Sequence, residues 1–244
     1  MKKILIYIDK GVDSSSFQSI VESLEKNNVS FGFEIEKIDS KFLLESCWQK
    51  DCELLVIPGG RDIPYYEALK GKGVSLISEY VNSGGSYLGI CAGAYFASNE
   101  IVFEKDKLHE VVEKRDLSFF PGRAVGTIYS DKPFSYQSQR SAHSALIQHA
   151  DNAIYTYYNG GCYFEKAEDF SSDVEILAQY KNANLHNVAA IVLCQVGRGK
   201  ALLSGVHFEI SCDSIKNTSL FEKLSKDEHK RQKLFDKLIT RLLV

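Results

Sequence analysis

The stretch from Gly84 to Ser98, G-G-S-Y-L-G-I-C-A-G-A-Y-F-A-S, constrains the fold most. Ser86 to Ile90 reads as a short buried strand, and the small residues from Ala92 onward suit a helix. Only Cys91 is left to make the turn between them. A strand that passes into a helix at one residue strains that residue, and bulky neighbours would collide there. Gly89 and Gly93, two positions to either side, remove those neighbours. The spacing is that of the nucleophile elbow G-x-S-x-G, with sulfur in place of the hydroxyl. It presents the thiol at a helix N-terminus, where backbone dipoles favour negative charge. The same five residues would also serve as a Gly-rich βα turn around an inert buried cysteine.

The pattern upstream favours the first reading. Lys3 to Ile8 is a continuous apolar run of buried-strand character, and Phe17, Ile20, Val21 and Leu24 recur at helical spacing. Phe31 to Ile38 alternates as a second strand, after which Asp39 or Ser40 caps a short helix through Phe42 and Leu43. Glu53 to Ile57 is a third strand, ending in Pro58-Gly59-Gly60. Tyr65 to Leu69 and Val74 to Asn82 are helical. This series predicts an α/β fold with a doubly wound, mostly parallel sheet flanked by helices, with function at the carboxyl ends of the strands. Both Cys91 and Pro58-Gly59-Gly60 fall at such ends.

From about 100 to 180 the helical period disappears. Leu117 to Phe120, Ala124 to Tyr129, Ala142 to Ile147 and Ile154 to Tyr158 read as strands, and Asn159-Gly160-Gly161 as a hairpin turn. We read a β-rich insertion within a single domain spanning 1–244. Parallel-type strands return at Val188 to Cys194 and Lys200 to Ser204, joined by Gly197-Arg198-Gly199. Ser225 and Glu228 form a capping box for a last helix carrying Leu234, Phe235, Leu238, Ile239 and Leu242.

Composition removes several classes of function. The 244 residues are 44% hydrophobic and 25% charged, ordinary for a globular chain. Twenty-nine Lys and Arg against 32 Asp and Glu give a net charge of −3, with no basic footprint for nucleic acid or an anionic membrane. The apolar run at the N-terminus ends at Asp9, too short for a signal peptide, and no stretch is long enough for a membrane helix. A cytoplasmic protein is expected. The cysteines at 47, 52, 91, 162, 194 and 212 form no C-x-x-C pair, and no second pair or nearby histidine completes a zinc site around Cys47 and Cys52, so no metal site is expected. No cofactor is expected either.

A sulfur nucleophile needs a base, and the base an orienting acceptor. His207 stands in S-G-V-H-F-E, beyond the carboxyl end of the strand Lys200 to Ser204 and so on the edge that holds Cys91. Glu209, two residues on, shares its side in an extended segment and can accept from one ring nitrogen. His109, His143, His149, His186 and His229 read better as solvated or structural. Donors for an oxyanion are expected from the N–H of Ala92 and from the Gly59-Gly60 loop. Arg61, Asp62 and Tyr65 follow that loop. Arg61 could bind a substrate carboxylate, or sit in a surface salt bridge. Asn159, Gly160 and Gly161 could line the cleft, or form a plain hairpin.

G-I-C-A-G at 89 to 93, H-F-E at 207 to 209 and P-G-G at 58 to 60 resemble class I glutamine amidotransferase domains. The resemblance implies Cys91 as nucleophile, His207 as base and Glu209 as its orienter, on a flavodoxin-like fold. Four blocks in order, I-P-G-G-R-D-I-P-Y, G-I-C-A-G-A-Y-F-A, F-F-P-G-R-A-V-G-T-I-Y and Y-Y-N-G-G-C-Y-F, resemble the amidotransferase-like N-terminal region of biotin–protein ligases. No adenylate-forming G-R-G-R-x-G segment occurs, so biotin ligation is not expected. Tyr95 stands where many class I glutaminases carry Gln or Glu, beside the expected acyl pocket.

Three readings follow: a Cys-His-Glu amidohydrolase, a ligand-binding or regulatory module that retains the site without turnover, and a redox-reactive cysteine protein. The first takes a small amide-containing substrate and, as an amidotransferase, a separate ammonia-acceptor or biotin-pathway protein.

Overall fold

The computed structural model describes residues 2–27, 32–129, 132–136, 138–181, 185 and 187–244. The first part of the chain runs β1 (Lys3–Tyr7), α1 (Ser14–Asn27), β2 (Glu34–Ile38), α2 (Ser40–Glu45), β3 (Cys52–Ile57), α3 (Asp62–Leu69), α4 (Lys72–Asn82), β4 (Ser86–Ile90) and α5 (Ala92–Phe96). Then come β5 (Ser98–Phe103), β6 (Val111–Lys114), β7 (Phe120–Gly126), β8 (His143–His149), β9 (Asn152–Tyr158), β10 (Tyr163–Phe164) and β11 (Val174–Tyr180). The chain closes with β12 (Ala189–Val196), β13 (Gly199–Ser204), α6 (Thr218–Ser225) and α7 (Glu228–Leu243). The predicted start of the second strand, Phe31, and His186 lie outside the described residues.

Alternation explains why helices cover both faces. In β1 and β3, Leu5, Tyr7, Leu55 and Ile57 belong to one apolar cluster, and Ile4, Ile6, Leu54 and Val56 to another. Two apolar faces cannot both meet water. Phe17, Ile20 and Leu24 of α1, with Leu234, Phe235 and Leu238 of α7, complete one cluster. Tyr65 and Leu69 of α3, Ile77 and Tyr80 of α4 and Phe96 of α5 complete the other.

Strands pair in the order β2-β1-β3-β4-β13-β12-β10-β7-β5-β6, with β11 on β12 and β8, and β9 on β8. The first five are mutually parallel. Chain order reverses direction between β1 and β3, so the loops after these two strands part and leave a crevice at the carboxyl edge. An isolated antiparallel bridge between Val12 and Gly60 ties the two loops together there.

Several expectations need correction. The strand 189–196 is antiparallel to β13, forming a hairpin with it through Gly197. The predicted strands Leu117 to Phe120 and Ala124 to Tyr129 are replaced by one, β7, whose register with β5 shifts at Ser98/Glu100. No hairpin joins β9 to β10: β9 pairs with β8, whereas β10 lies between β7 and β12, so the chain at Asn159-Gly160-Gly161 crosses between partners. Ser225 ends α6 and donates to Glu222 O, so it cannot cap α7, which starts after Asp227. Asp39 does cap α2, accepting from Phe42 N at 2.8 Å.

Candidate active site

Cys91 sits where β4 stops. Its N–H donates to Ser204 O of β13 at 2.8 Å, the last rung of that pairing, and its C=O accepts from Ala94 and Tyr95 at the start of α5. Between these roles its backbone takes φ 52° and ψ −102°, a region that non-glycine residues seldom occupy. The flanking glycines are a packing requirement. A Cβ on Gly89 would lie 2.5 Å from Gly93 O, and one on Gly93 2.0 Å from Ile57 O. Ala92, first residue of α5, has an N–H with no intrahelical acceptor.

Beyond β13 the chain continues through Gly205 and Val206 to His207, whose N–H donates to Tyr157 O at 2.8 Å. The Tyr157 ring meets the imidazole edge-on, 5.7 Å between centroids. His207 Nδ1 lies 2.7 Å from Glu209 Oε1, which leaves Nε2 for the sulfur. Glu209 Oε1 also accepts from Ser16 Oγ at 2.9 Å, and Ser16 Oγ in turn accepts from Gly59 N at 3.0 Å. Glu209 Oε2 is buried without a partner among the described residues. Burial would lower the His207 pKa. The Glu209 carboxylate and a hydrogen bond with Cys91 outweigh it, holding the ring well above its ordinary value.

Cys91 and His207 face an open cleft of about 1080 Å³ on the carboxyl edge of the sheet, which Gly60, Arg61 and Asn159 also line. Asn159 O approaches the Cys91 sulfur at 4.0 Å, and its side chain accepts from Ser141 Oγ at 2.8 Å. Gly60 has φ +146°, and a Cβ there would fall 2.1 Å from Gly11 O. Arg61 forms no salt bridge among the described residues; its guanidinium lies 4.8 Å from the centre of the Tyr136 ring.

Other expected site residues serve elsewhere. The Gly59 N–H is spent on Ser16 and is not a free oxyanion donor; its missing side chain instead makes room for His207 Cε1, 2.5 Å from where a Cβ would be. Asp62 turns from the cleft to the buried Arg115, whose Nη2 donates to it at 2.7 Å. Tyr65 is fully buried behind the loop and donates to Gly59 O at 3.0 Å. Tyr95 is buried beneath the crossing segment and donates to Gly160 O at 3.3 Å. Gly160 and Gly161 permit that crossing: a Cβ on Gly160 would meet the Phe134 ring at 2.3 Å, and one on Gly161 would meet Gly205 O at 1.8 Å.

Ser16 and Tyr157 were not legible as site residues. Nor were Tyr136, Arg140 and Lys216, or His109, which lines the cleft. Only Ser16 carried a usable signal, since it stands in the first turn of α1, just past the loop that follows β1, at the point where strand order reverses. Among the described residues no group of three or more His, Cys, Asp or Glu could hold a metal ion. No helix among them is long and apolar enough to cross a membrane.

Comparison with known proteins gives the same frame. The family described as "Biotin-protein ligase, N terminal" matches residues 2–244. An uncharacterized protein of Chlamydia muridarum is 42% identical over 212 residues, 86% of this chain and 81% of that one. A biotin–protein ligase of Schizosaccharomyces pombe is 33% identical over 216 residues, 86% of this chain but 34% of the ligase, so the chain spans about a third of that relative. A crystal structure of a glutamine amidotransferase superposes with a TM-score of 0.57 at 18% identity, covering 93% of this chain and 98% of that one, a likeness of fold.

Proposed function

The chain belongs to the biotin–protein ligase N-terminal family, and on that premise we propose that it is a cysteine-dependent amidohydrolase of amidotransferase-like fold, acting on a small amide. The observation that carries this reading is the buried contact of His207 Nδ1 with Glu209 Oε1 at 2.7 Å, beside a cysteine held at φ 52° in the same cleft. An inert buried cysteine needs neither an oriented histidine nor backbone strain.

In the proposed reaction the thiol proton passes to His207 Nε2, and sulfur attacks the amide carbonyl carbon. The oxyanion accepts from the Ala92 and Gly60 N–H groups. His207 gives the proton to the amide nitrogen, the C–N bond breaks, and ammonia or an amine departs. Water then gives a proton to His207 as its oxygen attacks the thioester, releasing the acid and restoring the thiol. Glu209 holds the ring tautomer throughout and stabilises its charged form. Where ammonia is the product, the reading includes a separate acceptor, for which the ligases of this family suggest a biotin-pathway protein.

Intact-mass analysis during incubation with a panel of small amides, glutamine and biotin amides among them, tests the reading. Cys91 should carry an acyl adduct, and Cys91→Ala should abolish both adduct and hydrolysis while leaving the fold intact. Equal hydrolysis by wild type and Cys91→Ala would overturn it.

A further inference from the structure

The cleft differs in charge from the rest of the chain. Acidic residues outnumber Lys and Arg overall, 32 to 29, yet the cleft is lined by Arg61, Arg140 and Lys216 against a single carboxylate, Asp13. That carboxylate is already engaged, accepting from Ser16 N at 2.9 Å. Of the five arginines elsewhere, Arg115, Arg123, Arg231 and Arg241 each pair with a carboxylate, and only Arg198, beside Gly197 in the β12–β13 turn, has no ion-pair partner among the described residues. Arg61, Arg140 and Lys216 have no ion-pair partner among the described residues.

One cation is packed against a ring, and the backbone that carries the other two is tied together. Arg61 stacks on Tyr136, which leaves its in-plane N–H groups for a bidentate acceptor. Arg140 and Lys216 lie on adjoining segments joined by Gln139, which donates to Ser214 O at 3.3 Å and accepts from Lys216 N at 3.2 Å. The cleft, at about 1080 Å³, exceeds the usual range of small-ligand sites, roughly 300–1000 Å³.

We infer that this cleft binds a ligand bearing several carboxylates, of the size of a short acidic peptide, and presents one of its amides to Cys91. The charge of the ligand follows from the cleft alone; only its role as a substrate rests on the amidohydrolase reading.

The test is calorimetric titration of the full chain with acetyl-tetraglutamate amide and with acetyl-tetraglutamine amide as the uncharged counterpart. The acidic peptide should bind at least about tenfold more tightly, and more weakly as salt rises. Arg61→Gln, and separately the pair Arg140→Gln with Lys216→Gln, should each weaken it about tenfold, with thermal melts confirming that the variants fold. No binding, equal binding of the two peptides, or variants without effect would overturn the inference. Displacement by sodium tripolyphosphate at lower concentration would also overturn it, assigning the cleft to phosphorylated ligands. Charge discrimination without any adduct on Cys91 would leave this inference standing while the hydrolase reading falls. Equal adducts from neutral and acidic amides would do the reverse.

Discussion

Ser16 Oγ donates to Glu209 Oε1 at 2.9 Å across 193 positions of sequence, joining the start of α1 to the segment beyond the last strand. The same hydroxyl accepts from Gly59 N, so one buried side chain links the loop after β3 to the carboxylate that orients His207. Ser16→Ala removes both bonds at a site with no solvent to replace them, leaving a buried N–H unpaired. A loss of about 1–3 kcal/mol is expected in urea unfolding. An unchanged midpoint would mean that the hydroxyl is not the tie between these elements.

Stability should fall as pH rises through the His207 titration. The folded-state pKa lies above the unfolded value of roughly 6.5, so the folded chain holds this proton more tightly. The stabilisation is therefore fully present below about pH 6.5 and is lost as pH rises through the folded value. Replacing the carboxylate in Glu209→Gln should bring the ring pKa down and flatten this dependence. Proton NMR titration of the ring, with urea unfolding at several pH values, reads both effects; identical profiles for the two proteins would refute the assignment.

The backbone at Cys91 sets a comparison between two variants that both lack sulfur. Cys91→Gly can adopt φ 52° without cost, whereas Cys91→Ala retains the strain. The glycine variant should be the more stable by about 1 kcal/mol, after allowance for the greater chain entropy it loses on folding. Chemical denaturation of the pair measures the difference, and an alanine variant as stable as the glycine one would show that the corner carries no strain.

Gly59→Ala places a methyl 2.5 Å from His207 Cε1 and 3.1 Å from Ser16 Oγ, so the imidazole must move. The expected outcome is a folded protein whose Cys91 reacts with an amide or alkylating probe at least about tenfold more slowly, given that small misplacements of reacting groups cost that much or more. Wild-type reactivity would show that the ring position is immaterial.

The parallel half of the sheet and its end at Cys91 were legible in sequence for a local reason. A strand buried on both faces must be apolar throughout, as Cys52 to Ile57 nearly is, and a corner without room for side chains must be flanked by glycine, as Cys91 is. The spacing of His207 and Glu209 was equally local, since two residues of extended chain put both side chains on one side. The β-rich region was not legible in that way. Asn159-Gly160-Gly161 has the composition of a hairpin turn, but glycines also allow a crossing between strands, and only the pairing of β9 with β8 and of β10 with β7 and β12 distinguishes the two. Tyr65, Asp62 and Tyr95 lay near the right edge in sequence, yet their side chains point into the core or to Arg115, a direction set by packing. Nor could sequence order reveal that Ser16 meets Glu209, or that Arg61, Arg140 and Lys216 share one cleft. Local chemistry thus determined which residues could form a strand, a corner and a histidine–carboxylate pair. Tertiary structure alone decided which distant groups stand within hydrogen-bonding distance of them, because that contact depends on strand order and not on spacing along the chain.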